Sequence, residues 1–231
     1  MPLSFVTFHV LQYAEGHRWS GFQRFALFQR KAKSIPGLRF GKVMGCGRGS
    51  VFSVKPDWSR YAFLFDWETP EAAQAFFASS DWKRLQGGVE QERHWQLTAI
   101  HAKGLWDGQP RFESDPKAVV PETVTQLAVI TRADLKPWRL RSFGDAARKA
   151  TAALEKYPGV QYTLGMGELP FVRQATFSVW DSETIMKAYA YRDEDHKAAM
   201  KGKKTHGWYG EELYARFAVN RYSEERVDGL F

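Results

Sequence analysis

Histidine is the side chain in this sequence with the widest chemical range near neutral pH, because it serves as a base, an acid and a metal ligand. The spacing of the histidines matches neither an HExxH motif nor a two-histidine helix pair. His94 and His101 are seven residues apart in a predicted strand, which predicts opposite faces of the sheet. A zinc site held by protein ligands is therefore weakly supported. The six histidines are His9, His17, His94, His101, His196 and His206.

One histidine stands out by its neighbours. If the helix that begins at Glu183 continues to Met200, then Tyr189, His196 and Met200 lie on one stripe, together with Ile185. A neutral imidazole among apolar side chains suits an axial ligand of haem iron. A core or edge histidine bonded to the backbone fits the same pattern. Asp195 can also cap a new helix, which would change the phase of the stripe.

Other side chains could share that cavity. Arg173, Gln174 and Arg192 carry the hydrogen-bond donors that a dioxygen-binding pocket uses, and each is equally compatible with a surface or salt-bridged role. We take these three as candidate catalytic residues. His196 is the candidate iron ligand. Its candidate haem-contacting neighbours are Trp180, Tyr189 and Met200.

Cys46 is the only cysteine, which excludes an internal disulfide and a zinc site built from several thiolates. It lies in the segment GCGRG (45–49), which lacks the spacing of a phosphate-binding loop and does not open a helix. A thiolate can ligate haem iron or act as a nucleophile. Because no neighbouring base is evident, a structural cysteine is the favoured interpretation. No GxSxG motif of a serine hydrolase is present.

The chain contains an internal repeat. PGLRFGKVMG (36–45) aligns with PGVQYTLGMG (158–167), and YAFLFDWETPEAAQAFF (61–77) aligns with QATFSVWDSETIMKAYA (174–190). Strands are predicted at 4–11, 38–43, 61–67 and 94–101 in the first half, and at 126–132, 160–165, 174–180 and 212–220 in the second. Helices are predicted at 19–33, from a Thr69 cap to 79, at 140–156, and from a Ser182 cap over 183–200.

Each half therefore has the order β-α-β-β-α-β of a ferredoxin-like unit. Two such units in one chain can pair their sheets, so the predicted fold class is α+β: two fused ferredoxin-like repeats that form an α+β barrel. Residues 1–104 form the first repeat, 105–123 a linker rich in Gly, Pro and acids, and 124–231 the second repeat with the haem site.

The formal net charge is +7, from 33 Lys+Arg and 26 Asp+Glu. Acids are interleaved with the bases and no nucleic-acid-binding motif is present, so nucleic acid is not an expected partner. The densest basic run, Lys197 to Lys204, suits a solvated helix end, an acidic electron-transfer partner or an anionic membrane. With no visible signal peptide or spanning segment, the expected location is cytoplasmic, with peripheral contact at the inner membrane surface as a variant.

The second half resembles the spheroidene monooxygenase family. The resemblance is carried by G-x-GE-x-P (Gly165, Gly167, Glu168, Pro170), by Q-x-TFSVW (Gln174, Thr176–Trp180) and by W-[YF]-x-EELYARF (Trp208, Tyr209, Glu211–Phe217). The first half matches more loosely, through K-V-M-G-C-G-x-G (42–49) and H-x-K-G-x-W (101–106).

The resemblance implies a haem b enzyme that uses dioxygen and a ferredoxin-type electron donor to introduce a keto group into an acyclic carotenoid. It also implies an α+β barrel with haem on a histidine of the second half. His196 is then the expected ligand, with His206 and Cys46 as alternatives. The substrate is not fixed by the resemblance. Another haem enzyme on this barrel (aldoxime dehydratase-like or peroxidase-like), a cofactor-free monooxygenase, and a non-enzymatic binder of haem or an apolar ligand stay open.

Overall fold

The computed structural model describes residues 3–49, 55–115, 125–135, 154, 157–169, 172–192 and 209–226, with backbone alone for Lys33, Leu169, Tyr191, Arg192 and Tyr209. The strands are β1 Phe5–Tyr13, β2 Leu38–Gly47, β3 Pro56–Trp67, β4 Val89–Gly104, β5 Leu127–Leu135, β6 Val160–Leu169, β7 Arg173–Trp180 and β8 Tyr209–Arg226. The helices in these ranges are α1 Arg18–Lys31, α2 Pro70–Ala78, α3 Ser80–Gln86 and α4 Glu183–Arg192. None of these four helices is long and apolar enough to cross a membrane.

The eight strands form a closed antiparallel barrel in the order β1-β3-β2-β6-β7-β5-β8-β4. The first half contributes β4-β1-β3-β2 and the second half β8-β5-β7-β6, which is one order used twice. Long pairing of β4 with β8 closes one seam, and the short β2–β6 pairing at Gly45↔Gly167 and Cys46↔Met166 closes the other. The predicted α+β barrel of two ferredoxin-like repeats is confirmed.

Equivalent local structure supports the repeat. Gly37 and Gly159 have φ angles of 71° and 83°, a left-handed conformation that favours glycine, which explains why each repeat carries Pro-Gly at this point. The Thr69 hydroxyl accepts the Ala72 N–H at 3.2 Å, and the Ser182 hydroxyl accepts the Ile185 N–H at 3.3 Å. Both predicted helix caps are therefore present.

Some elements differ from the prediction. β4 and β8 extend well beyond 94–101 and 212–220 because each completes its hydrogen bonds on the other at the seam. The helix α3, capped by Ser79, was not predicted. In the second half, the predicted helix 140–156 lies outside the described residues except for position 154, and so does the predicted continuation of α4 beyond 192.

Apolar side chains fill the inside of the barrel. Phe8 of β1 stacks on Phe177 of β7 with ring centroids 4.0 Å apart, and Trp95 of β4 contacts Phe177 at 5.2 Å. Cys46 belongs to this interior cluster. Trp106, within the predicted linker 105–123, is also fully buried there. The interior is a packed core, so a large ligand has to bind elsewhere.

Helices α1 to α3 cover the outer face of the first half-sheet. Beneath them Phe63, Phe65, Phe76 and Trp82 pack edge to face with centroids about 5.7 to 6.3 Å apart. In the second half, α4 packs on the outer face of the sheet near the end of β7, where the ring of Trp180 lies 5.2 Å from that of Tyr189. Each half thus buries one face in the barrel, and α1 to α3 cover the outer face of the first half.

His9, which is buried, and His94, which is half-buried, form a stacked pair on the outer face of the first half-sheet. Their rings lie 4.1 Å apart with an interplanar angle of 9°. Burial lowers the pKa of each to about 3, and for His94 the neighbouring His9 and Arg221 lower it further. Both imidazoles are therefore neutral at pH 7, and the contact of His9 Nδ1 with Glu92 Oε1 at 3.1 Å is a hydrogen bond and not an ion pair.

This pair predicts a loss of stability in mild acid. The unfolded chain binds protons at these histidines near pH 6.5 and the folded chain only near pH 3, so acid favours the unfolded state. Between about pH 7 and about pH 5, each histidine should lower the free energy of unfolding by up to about 2 kcal/mol. The raised pKa of Glu92, caused by burial, opposes part of this loss.

Urea unfolding of wild type and His94→Phe at both pH values measures the effect. The variant keeps an aromatic ring against His9 and should lose less stability on acidification, whereas His17→Phe, at an exposed histidine, should match wild type. Equal acid sensitivity of wild type and His94→Phe would contradict the assignment.

Candidate functional site

The two halves of the barrel can be compared position by position, which shows where the second half differs from the first. Phe5 pairs with Trp67 in the first half, and Leu127 pairs with Trp180 in the second, so the two registers define equivalent positions. Along β3 the outward side chains above Trp67 are aromatic: Tyr61, Phe63 and Phe65. The equivalent outward side chains of β7 are Gln174, Thr176 and Ser178. Three large rings are thus replaced by small polar groups.

The neighbouring strands repeat this difference. His9 and Leu11 of β1 correspond to Thr131 and Ala133 of β5, and Val43 of β2 corresponds to Gly165 of β6. We call the resulting surface the polar floor. It comprises Thr131, Ala133, Gly165, Gly167, Gln174 and Thr176.

Exposure separates the polar floor from its counterpart only at some positions, because Ala133 and Gly165 are buried. His9 and Phe63 are 2% and 0% exposed, whereas Thr131 is exposed and Thr176 is half-buried. The two threonine hydroxyls hydrogen-bond to each other across β5 and β7. On this face of the sheet, the described residues therefore present hydroxyl and amide groups where the first half presents three aromatic rings.

Aromatic side chains border the polar floor at the end of β7 that carries Trp180. Tyr189 of α4 contacts Trp180 at 5.2 Å and Tyr157 at 5.1 Å, and Met186 lies under Tyr214. Two of the predicted haem contacts, Trp180 and Tyr189, therefore lie together at the edge of the floor. An apolar wall beside a polar floor is the chemistry that a macrocycle with an apolar body and charged edge groups requires.

The structure locates other predicted site residues as follows. Gln174 lies on the floor, with its amide nitrogen beside Gly167. Arg173 lies off the floor, because it has the same alternation along β7 as the inward Ala175 and Phe177. Its Nε is 3.4 Å from Asp134 and its Nη1 is 3.9 Å from Asp107. Arg192 ends α4, and its side chain is not described. His196, Met200 and His206 lie outside the described residues.

The expected iron ligand, His196, and the alternative His206 lie outside the described residues, whereas the alternative Cys46 lies within them. Among the described residues, no cluster of three or more His, Cys, Asp or Glu could hold a metal ion. Cys46 lies in the filled interior, where burial raises the pKa of its thiol to about 12. A thiol in a dry core is neither a nucleophile nor a thiolate ligand, which favours the structural interpretation.

The expectation that His94 and His101 lie on opposite faces is wrong. A bulge between Ala99 and His101 shifts the alternation by one residue. His101 therefore projects outward like His94, 6.2 Å from the Tyr214 ring, while Ala102 packs against the interior.

Two floor residues, Thr131 and Thr176, were not among the predicted site residues. An outward threonine in a strand is ordinary when taken alone. The repeat alignment carried the signal, because it sets Thr176 against Phe63 and Gly165 against Val43. Asymmetry between the halves, rather than a motif, marks the site.

An ion network plugs the barrel end at which β4 ends and β8 begins. Arg132 of β5 points inward with its side chain 1% exposed, and it contacts Asp134 at 2.6 Å, Glu168 at 3.7 Å and Glu211 through a hydrogen bond. Trp106 donates its indole N–H to Glu168 at 2.7 Å. Several motif segments of the predicted family thus meet at this plug.

Lys42 and the 105–109 turn complete the plug. Lys42 pairs with Glu168 and with Asp107 at 2.8 Å. The Glu211 carboxylate accepts the backbone N–H groups of Asp107 and Gly108. Burial raises the pKa of Glu211, but these bonds and Arg132 outweigh burial and lower it. The plug is a structural feature that seals the core, distinct from the polar floor outside the sheet.

Comparison with known proteins identifies relatives. No protein-family model matches the chain. It is 30% identical over 194 residues to spheroidene monooxygenase of Rhodobacter capsulatus, which covers 84% of this chain and 80% of the relative. It is 31% identical over 209 residues to spheroidene monooxygenase of Rubrivivax gelatinosus, which covers 90% and 79%.

Solved structures share the architecture. A crystal structure of aldoxime dehydratase superposes with a TM-score of 0.60 at 11% identity, covering 97% of this chain and 84% of that one. The complex of aldoxime dehydratase OxdRE with butyraldoxime gives 0.60 at 10% identity, covering 96% and 82%. These likenesses establish the α+β barrel. With the identity and coverage of its curated relatives, the chain belongs to the spheroidene monooxygenase family.

Proposed function

We propose that this protein is a haem-dependent monooxygenase that introduces a keto group into an acyclic carotenoid, or a similar apolar molecule, with dioxygen and reduced ferredoxin. Membership of the spheroidene monooxygenase family supports the reaction and the substrate class. The polar floor supports a flat cofactor, because it replaces the aromatic layer that fills the equivalent position of the first half. That replacement is the observation on which the haem proposal rests.

Haem b would lie over the polar floor, with Trp180 and Tyr189 against its apolar edge. His196 is the proposed iron ligand and His206 the alternative, since both follow α4 in the sequence. When bound, haem supplies the dioxygen chemistry that removes hydrogen from an unactivated carbon. The protein contributes binding, orientation and the exclusion of water.

The floor residues have distinct proposed roles. The amide of Gln174, and the one hydroxyl proton that the Thr131–Thr176 hydrogen bond does not use, donate hydrogen bonds to polar groups above the sheet. Asp134 and Asp107 hold the Arg173 guanidinium, and Arg173 is kept as a candidate catalytic residue outside the floor. Arg192, at the end of α4, is kept as a candidate catalytic residue. The aromatic wall excludes water from the reacting region.

The reaction is tested with protein reconstituted with haem and supplied with an acyclic carotenoid, labelled dioxygen and reduced ferredoxin. We expect a keto product that carries oxygen from dioxygen, and no product when either dioxygen or reductant is omitted. Turnover of an aldoxime without dioxygen would instead indicate a dehydratase-like enzyme. Absence of carotenoid product from haem-loaded, reduced protein would contradict the proposed substrate.

Two alanine variants test the iron ligand. His196→Ala is expected to abolish the Soret band and the activity, because an axial imidazole holds the iron. Cys46→Ala is the matched control and should keep both, since its thiol lies inside the core. Retention of the Soret band in His196→Ala and its loss in His206→Ala would move the ligand to His206.

A further inference from the structure

Helix α1 has an unusual charge composition for a surface helix. Residues 18–33 contain five cations, Arg18, Arg24, Arg30, Lys31 and Lys33, and no Asp or Glu. The inner side of α1 packs on the first half-sheet through Gly21 and Phe28. A basic helix without acids repels cationic partners and attracts anionic surfaces.

The outward side of α1 also exposes large apolar groups. Trp19 and Leu27 are 69% and 68% exposed. Trp58, at the start of β3, is 56% exposed beside the same helix. Phe22 links the two tryptophans, because its ring lies 5.6 Å from Trp19 and 5.8 Å from Trp58. We call Trp19, Phe22 and Trp58 the aromatic patch. Exposed tryptophans grouped in this way mark an interaction surface.

Cations surround the aromatic patch. Arg18 lines it directly, and Arg30 is exposed on the outward side of α1. Arg48 donates its backbone N–H to the Lys55 carbonyl at 2.9 Å, where β2 ends and β3 begins, shortly before Trp58 in the chain. Arg18 and Lys31 pair with Glu15 and Asp81, but these pairs are solvent-exposed and contribute little, so the arginine and lysine can exchange partners.

We propose that the aromatic patch docks on the surface of an anionic phospholipid bilayer. Tryptophan rings prefer the headgroup level, where an apolar body meets a polar edge, and flanking arginines and lysines pair with lipid phosphates. Exposed tryptophans alone, or basic residues alone, would not select a bilayer. A basic helix with exposed tryptophans matches both the charged phosphates of the bilayer surface and the apolar region just beneath them. The inference does not rest on the proposed reaction, although docking would bring the enzyme to an apolar, membrane-dissolved substrate.

Vesicle co-sedimentation of the full chain tests the proposal. We compare vesicles of phosphatidylcholine alone with vesicles that contain about 30% phosphatidylglycerol. Wild type should bind the anionic vesicles, and added salt should weaken binding. Trp19→Ala/Trp58→Ala should bind at least about tenfold more weakly, since two anchoring rings are lost. Arg30→Glu should bind about tenfold more weakly.

Matched controls separate the patch from general charge and apolarity. Leu105 and Lys103 are exposed at the opposite end of the barrel, so Leu105→Ala and Lys103→Glu should bind like wild type. Circular dichroism checks the fold of each variant. Failure of wild type to bind anionic vesicles would overturn the proposal, as would equal loss in Arg30→Glu and Lys103→Glu. Concentration-dependent dimerisation that Trp19→Ala/Trp58→Ala abolishes would assign the patch to a second copy instead. Haem content and activity in detergent are measured separately, so failure here leaves the proposed reaction standing.

Discussion

Replacing Thr176 with phenylalanine is expected to weaken haem binding without unfolding the barrel. The substitution restores the side chain that the first half carries at the equivalent Phe63, and a ring at this point fills the space above the polar floor. Overpacking of a fitted site costs typically 1–3 kcal/mol, so we expect haem affinity to fall about tenfold or more. The fold should persist, because Thr176 is only half-buried and phenylalanine is well accepted in strands.

Haem titration of the purified apoprotein, followed at the Soret band, measures this effect. Thr176→Ser is the matched control, because it keeps the hydroxyl that bonds to Thr131 and adds no ring. Thr98→Phe adds the same ring on the outer face of β4, away from the floor. Both controls should bind haem nearly as wild type does. Undiminished haem affinity in a folded Thr176→Phe would show that haem binds elsewhere.

Replacing Arg132 with methionine is expected to give the largest loss of stability. The buried guanidinium neutralises Asp134, Glu168 and Glu211 at the barrel plug, and methionine would leave these carboxylates facing one another. Removing one partner of a buried ion network costs about 3–5 kcal/mol. Arg132→Lys should lose less, because it keeps the charge but not the forked geometry.

Urea unfolding near neutral pH provides the measurement, with Arg173→Met as the matched control. Arg173 contacts the same Asp134 carboxylate, but its side chain is 39% exposed, so its loss should cost less than about 1 kcal/mol. The depressed pKa of Glu211 stabilises the fold above its ordinary value of 4.5, and this contribution is lost on further acidification. The deficit of Arg132→Met should therefore narrow in acid. If Arg132→Met and Arg173→Met had the same free energy of unfolding at neutral pH, the stabilising role of the Arg132 ion network would be contradicted.

The architecture could be predicted from the sequence because short local signals specify it, and each signal occurs in both repeats. Pro-Gly before β2 and β6, and the caps Thr69 and Ser182, specify turns and helix starts without reference to the rest of the chain. The alternating strands then leave few ways to pair two ferredoxin-like units.

Features that depend on tertiary contacts were less accessible. The length of β4 and β8 is set by their mutual pairing. The face of the sheet on which His101 lies is set by a bulge in that pairing. The plug joins Lys42, Arg132, Glu168 and Glu211 from four strands, and no local spacing relates them. The polar floor was encoded in the repeat alignment, but as a difference between halves rather than as a recognisable motif.

The most direct measurement is the absorption spectrum of protein produced with adequate haem, recorded before and after dithionite and carbon monoxide. We expect a Soret band that shifts on reduction, and again with carbon monoxide to the position typical of a histidine-ligated haem. In Thr176→Phe the band should be weaker at limiting haem. A carbon monoxide band at the position typical of a thiolate-ligated haem would instead assign Cys46 as the iron ligand. That result would contradict haem binding at the polar floor. No Soret band in folded protein after haem is added back would rule out the haem mechanism.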